Sequence, residues 1–180
     1  MVADGPAHRP HRRPAHRTRP RSRQARRAAA HRPRGRAPAL VLSSPRSRAR
    51  DTAELAGLTP GVDERLAEWD YGDYEGRTTP EIRETVPGWT VWTHPCPGGE
   101  TAGEVTARAD AVLAEVRAAT ADGDAVLVGH GHFSRVLIAR WVQLPAVEGV
   151  RFAMDAAALS VLGHEREAPR IDHLNLQAAP

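Results

Sequence analysis

Two short apolar runs, ALVLSS (39–44) and AVLVGH (125–130), constrain this chain more than any other feature. Both are shorter than a core helix, both end in polar residues, and a helical pattern follows each. Pro45 opens a helix through RSRARDTAELAG that Gly57 stops, and residues 134–142 form a helix after His130. Between them, residues 60–78 read as loop and short elements, and residues 80–85 as a short helix ended by Pro87-Gly88. PCPGGET (95–101) leads into a long amphipathic helix with Val105, Ala109, Val112 and Val116 on one face. Residues 157–162 and 170–174 are the final strands. Buried strands alternating with helices predict an α/β sandwich with a largely parallel sheet. Ligands of such folds bind beyond the strand carboxyl ends, where Ser43-Ser44 and Gly129-His130 fall.

The 180 residues, 41% hydrophobic and 26% charged, suit one soluble domain, and no apolar run is long enough to cross a bilayer. Cys96 is the single cysteine, which excludes an intrachain disulfide and a thiolate metal cage and leaves the cytoplasm as the expected location. The net charge of +3 conceals a division. Residues 1–37 hold 12 of the 25 basic residues and one acid, Asp4, leaving 13 basic against 21 acidic residues from position 38 onward. Every basic residue is Arg. This Pro-broken head has the charge of a nucleic-acid-binding segment but no aromatics for base stacking, so a nucleic-acid partner is disfavoured. The sequence carries no signal for an oligomeric state.

Several residues could carry chemistry. Arg48 sits one turn past the first strand end, where a helix N-terminus and a guanidinium together clamp an anion; the alternative is a solvated Arg like Arg46 and Arg50. His130 closes the second strand between Gly129 and Gly131, with His132 nearby, and either stabilises a transferring phosphoryl group or is a satisfied core histidine. Glu68, in LAEWDYGDYEG, has Trp69, Tyr71 and Tyr74 as an apolar wall suited to a general acid, and Asp70, Asp73 and Glu75 compete for that role. Two acids in a Gly-containing loop are weak support for a metal. Glu100 and Thr101 precede the long helix, so Thr101 is most simply its N-cap. Trp89, Trp92 and Trp141 read as packing residues.

Taken in order, SSPRSRARDTAE (43–54), LAEWDYGDYEG (66–76), PGGET (97–101) and VLVGHGHFSRVL (126–137) resemble the histidine phosphatase, or phosphoglycerate mutase-like, superfamily, over roughly residues 39–175. The resemblance implies a three-layer α/β/α sandwich and hydrolysis of phosphomonoesters through a phosphohistidine. By this resemblance Arg48 matches the second phosphate-clamping Arg, Glu68 the proton donor to the leaving group, and His130 the second His. Gly131 would give a backbone contact to phosphate, with His132, Glu100 and Thr101 as further substrate contacts. No cofactor or metal is implied, because two Arg and two His supply the electrostatics. The short loop between Glu68 and Gly98 resembles the phosphatases rather than the mutases. EWDYGDYEG with GHGHFSR is similar to a sugar-phosphate branch that includes sedoheptulose bisphosphatase, so the expected partner is a small phosphorylated substrate.

The family's opening strand, ending Arg-His-Gly-Glu-Thr, has no counterpart here; the nearest string is HRPRG (31–35). The expected domain therefore has its first strand and nucleophile lost and is inactive as given. Back-translating residues 1–21 one nucleotide out of frame permits WSLTGRHTGRTDVPLTERGR, which resembles the segment after that strand. Residues 1–37 are thus expected to be an atypical head, disordered or frame-shifted up to about residue 21, and residues 38–180 the phosphatase-like domain. The alternative is a pseudophosphatase, an anion-binding module with a nucleic-acid-binding head.

Overall fold

The structure, a computed structural model, describes residues 37–177. The expectations for the Arg-rich head concern residues outside that range, apart from residue 37 itself. The first apolar run forms β1 (Leu40–Ser43) and is followed by α1 (Ser47–Leu55), β2 (Gly61–Val62) and α2 (Thr79–Arg83). Then come α3 (Ala102–Ala119), β3 (Ala125–Val128), α4 (Gly131–Trp141) and the strands β4 (Leu159–Glu165) and β5 (Ala168–Leu176). Three short 3-10 turns, Glu64–Leu66, Gly72–Tyr74 and Ala146–Arg151, punctuate the loops.

Strands β2, β1 and β3 form a parallel sheet in that order, with Ser43 opposite Val128. β4 and β5 form an antiparallel hairpin of their own. The α/β architecture matches the sequence expectation. β2 is a parallel strand inside the stretch read as loop: only two residues long and exposed, it has no apolar period by which to be found.

Local chemistry accounts for the helices. Gly57, at φ 75°, ends the α1 segment in the left-handed conformation that glycine adopts most easily. Thr101 and Glu104 form a reciprocal capping box at the start of α3, and Thr78 with Glu81 does the same for α2. α3 buries Val105, Ala109, Val112, Leu113 and Val116, the predicted face plus Leu113. α4 is apolar on most sides, burying Phe133, Val136, Leu137, Ile138, Ala139 and Trp141. It packs against α3, and Arg140 ties the two through both oxygens of Asp110 at 2.8 and 3.0 Å. The four tryptophans, Trp69, Trp89, Trp92 and Trp141, are all buried in the core.

Candidate active site

Parallel pairing of β1 and β3 brings two strand carboxyl ends, and the starts of the helices that follow, to one edge of the sheet. Ser44 N–H donates to Val128 O at 2.9 Å, extending the ladder one step beyond β1. His130 then turns in as the residue before α4, 8% exposed. Its Nδ1 accepts from Arg48 Nε at 3.2 Å, and its Nε2 lies 2.7 Å from Ser44 Oγ. Because Nδ1 faces a guanidinium, which can only donate, the imidazole proton is on Nε2. Burial, reinforced by the Arg48 charge, holds the His130 imidazole below its ordinary value. His130 is therefore neutral at pH 7, with an exposed Arg48 beside it.

Glu68 reaches the same corner from the loop after the first 3-10 turn. Its Oε1 accepts from Phe133 N at 2.8 Å and Trp69 N at 3.0 Å, and its Oε2 from His132 N at 3.2 Å. The carboxylate thus serves as the missing cap of α4, taking N–H groups that no residue of the helix satisfies. A Cβ at Gly131 would lie 3.9 Å from Oε2, so this glycine stands beside the carboxylate and is exposed. The aromatic residues expected to wall Glu68 have other partners. Trp69 donates through Nε1 to Glu100 O at 3.0 Å, Tyr74 meets Trp89 edge-on, and Tyr71 Oη lies 2.6 Å from His132 Nδ1.

Beneath Glu68 is a support that sequence reasoning missed. Arg108 of α3 grips both oxygens of Glu100 at 2.6 and 2.8 Å, donates to the carbonyls of Arg65 and Ala67 at 2.8 Å each, and lies over the Phe133 ring at 4.1 Å. The Gly72 turn and the 97–99 turn come backbone to backbone, Asp73 N donating to Pro97 O at 2.8 Å. A Cβ at Gly72, where φ is 52°, would stand 2.2 Å from that same oxygen.

Arg48 thus meets His130, Glu68 takes the backbone N–H of His132, and the two pairs are joined through the backbone of residues 130–132, with Gly131 between them. Glu100 and Thr101 occupy different positions: Glu100 is held by Arg108 and Asp70 N, and Thr101 caps α3. Both line a cavity of about 250 Å³ with Trp69, Trp92 and His94, and Trp92 links it to the corner, its ring 5.3 Å from His132. Ser44 was missed as a partner of His130; its polar hydroxyl at the end of an apolar strand was the available signal.

Residues 19–177 match the family described as the histidine phosphatase superfamily (branch 1). The chain belongs to this superfamily. It is 51% identical over 142 residues to an acid phosphatase of Mycobacterium tuberculosis, covering 78% of this chain and 70% of that protein. It is 33% identical over 129 residues to the sedoheptulose 1,7-bisphosphatase of Saccharomyces cerevisiae, covering 58% of this chain and 48% of the relative. The chain thus spans about half the length of that relative. Among solved structures, an open reading frame from Mycobacterium tuberculosis superposes with a TM-score of 0.75 at 51% identity, over 77% of this chain and 72% of the other. A mycobacterial glucosyl-3-phosphoglycerate phosphatase superposes with a TM-score of 0.69 at 31% identity, over 86% and 85%. The matched family span begins at residue 19, inside the Arg-rich head.

Proposed function

We propose that this domain binds phosphomonoesters of small metabolites, sugar phosphates being the favoured class, and hydrolyses them when an attacking histidine is supplied. The observation that carries the reading is the Arg48–His130 contact at paired strand ends, with Glu68 on the first turn of the helix that His130 precedes. Arg48 offers N–H donors to the oxygens of a transferring phosphoryl group, and the His130 Nε2–H, which faces Ser44 Oγ in the resting site, becomes a second donor when it turns from that hydroxyl to the anion, where the effect is greatest as charge develops. Glu68, a carboxylate at rest, takes up a proton with the bound ester and passes it to the leaving alcohol. In the full reaction a histidine attacks phosphorus, the ester P–O bond breaks, and the alcohol oxygen takes the proton. Water then attacks the phosphohistidine and gives a proton to Glu68 as the N–P bond breaks, which releases phosphate and restores the imidazole.

No Arg-His-Gly tripeptide occurs in the 180 residues. In this reading the chain as given holds the phosphate-binding and proton-donating groups without the attacking imidazole, and is inactive. Hydrolysis of para-nitrophenyl phosphate by this chain, and by the same chain joined to an apolar strand ending Arg-His-Gly-Glu-Thr, tests it. The first should be silent. The second should turn over with acid-labile phosphohistidine and lose about a hundredfold or more in rate on His130→Ala. A well-folded extended protein that stays silent contradicts the assignment.

The same missing tripeptide favours a second reading, an anion-binding module whose activity is not restored by that strand. None of the helices among the described residues is long and apolar enough to cross a membrane. A cytoplasmic location belongs to the proposal.

A further inference from the structure

His132 is held at three points. Its backbone N–H binds Glu68 Oε2, its ring meets Tyr71 and Trp92 edge-on at 5.8 and 5.3 Å, and its Nδ1 lies 2.6 Å from Tyr71 Oη. A separation of 2.6 Å is within the range of bonds donated by O–H and short for one donated by N–H, so the phenol is the donor. Tyr71 is half-buried and keeps its proton, since burial and the Glu68 charge push its phenol up, while burial holds the His132 imidazole below its ordinary value. A donor at Nδ1 fixes the neutral tautomer with its proton on Nε2. Among the described residues no group accepts from Nε2 and no buried side-chain nitrogen or oxygen lacks a partner, so Nε2 is at least partly exposed.

We propose that Tyr71 is a positioning residue that locks His132 as an Nε2–H donor beside Glu68, where it recognises an oxygen neighbouring the scissile ester on the alcohol portion of the substrate. This inference rests on the phosphomonoester reading and names its substrate class: esters of polyhydroxylated or anionic alcohols rather than plain alkyl phosphates. A single well-placed donor favours the oxygenated ester by about five-fold.

The test uses the chain as it exists. Affinities for glycerol 3-phosphate and methyl phosphate are measured by calorimetry, and the His132 tautomer is read from ¹⁵N imidazole shifts. The expected result is a glycerol phosphate preference of about five-fold and a single Nε2–H tautomer, with Tyr71→Phe mixing the tautomers and bringing the affinity ratio toward one. A purely structural role for Tyr71 would lower stability without changing the ratio. Equal affinity of the unaltered chain for both esters overturns the inference while leaving the phosphate site standing, and needs no variant to fold. Absence of binding by either ester removes the phosphomonoester reading itself, and this inference with it.

Discussion

Glu68 and Arg48 approach the same corner of the molecule but are held in different ways. Glu68 is anchored by three backbone N–H groups and underpinned by Arg108, which bridges its loop to α3. Arg48 is exposed on the first turn of α1, and among the described residues its side chain is held by His130 alone. The difference separates two demands on such a site. In the proposed roles, a proton donor must be fixed relative to the leaving oxygen, whereas an anion clamp can remain solvated until charge arrives, because fixing an unpaired cation in advance costs desolvation.

Substitutions should therefore divide into those that damage the fold on the Glu68 side and those that damage only anion binding on the Arg48 side. The largest loss of stability is expected from Gly72→Ala, whose methyl group would run into Pro97 O at a positive φ. About 3 kcal/mol should disappear in denaturant unfolding. Arg108→Ala follows, at about 2 kcal/mol, since it strands the Glu100 carboxylate and two loop carbonyls in a partly buried position. Thr101→Ala should cost about 1 kcal/mol through loss of the α3 cap, again read by denaturant. Arg48→Ala should change stability by less than about 0.5 kcal/mol yet weaken phosphate binding about ten-fold or more in calorimetry. A stability loss for Arg48→Ala as large as that for Arg108→Ala would erase the distinction.

Acid should test the same corner from the His130 side. The His130 and His132 imidazoles both lie below their ordinary value of 6.5 when folded, so the unfolded chain takes up protons that the native chain does not. Their contribution is complete above that pH and is lost as the pH falls through the folded values. The stability curve of His130→Asn/His132→Gln should be flatter than that of the unaltered chain over this window.

What the sequence disclosed depended on range. The apolar strands, their polar ends and the helix after each are local patterns, so β1, β3, α1, α3 and α4 were legible, as was Thr101 as a cap. The resemblance rests on motifs of this kind and proposes Arg48, Glu68 and His130, which the fold brings to one edge of the sheet. β2 was hidden because two exposed residues carry no period, and β5 runs past the expected 170–174 because polar residues interrupt its alternation. The partners that finish the site are distant in sequence: Ser44 with His130, Tyr71 with His132, and Arg108 with the Arg65 and Ala67 carbonyls. Nothing in one residue type foretells which carbonyl it will meet. An isolated Arg in α3 reads as a solvated charge until the loop is seen packed over it.

The most direct measurement is a titration of the ¹⁵N-histidine-labelled chain with inorganic phosphate, following the His130 ring nitrogens. Saturable shifts are expected at both nitrogens as phosphate enters between Arg48 and His130, lost in Arg48→Ala and retained in Thr101→Ala. His130 resonances that do not respond to phosphate in a folded protein would contradict the assignment of this corner as a phosphoryl site.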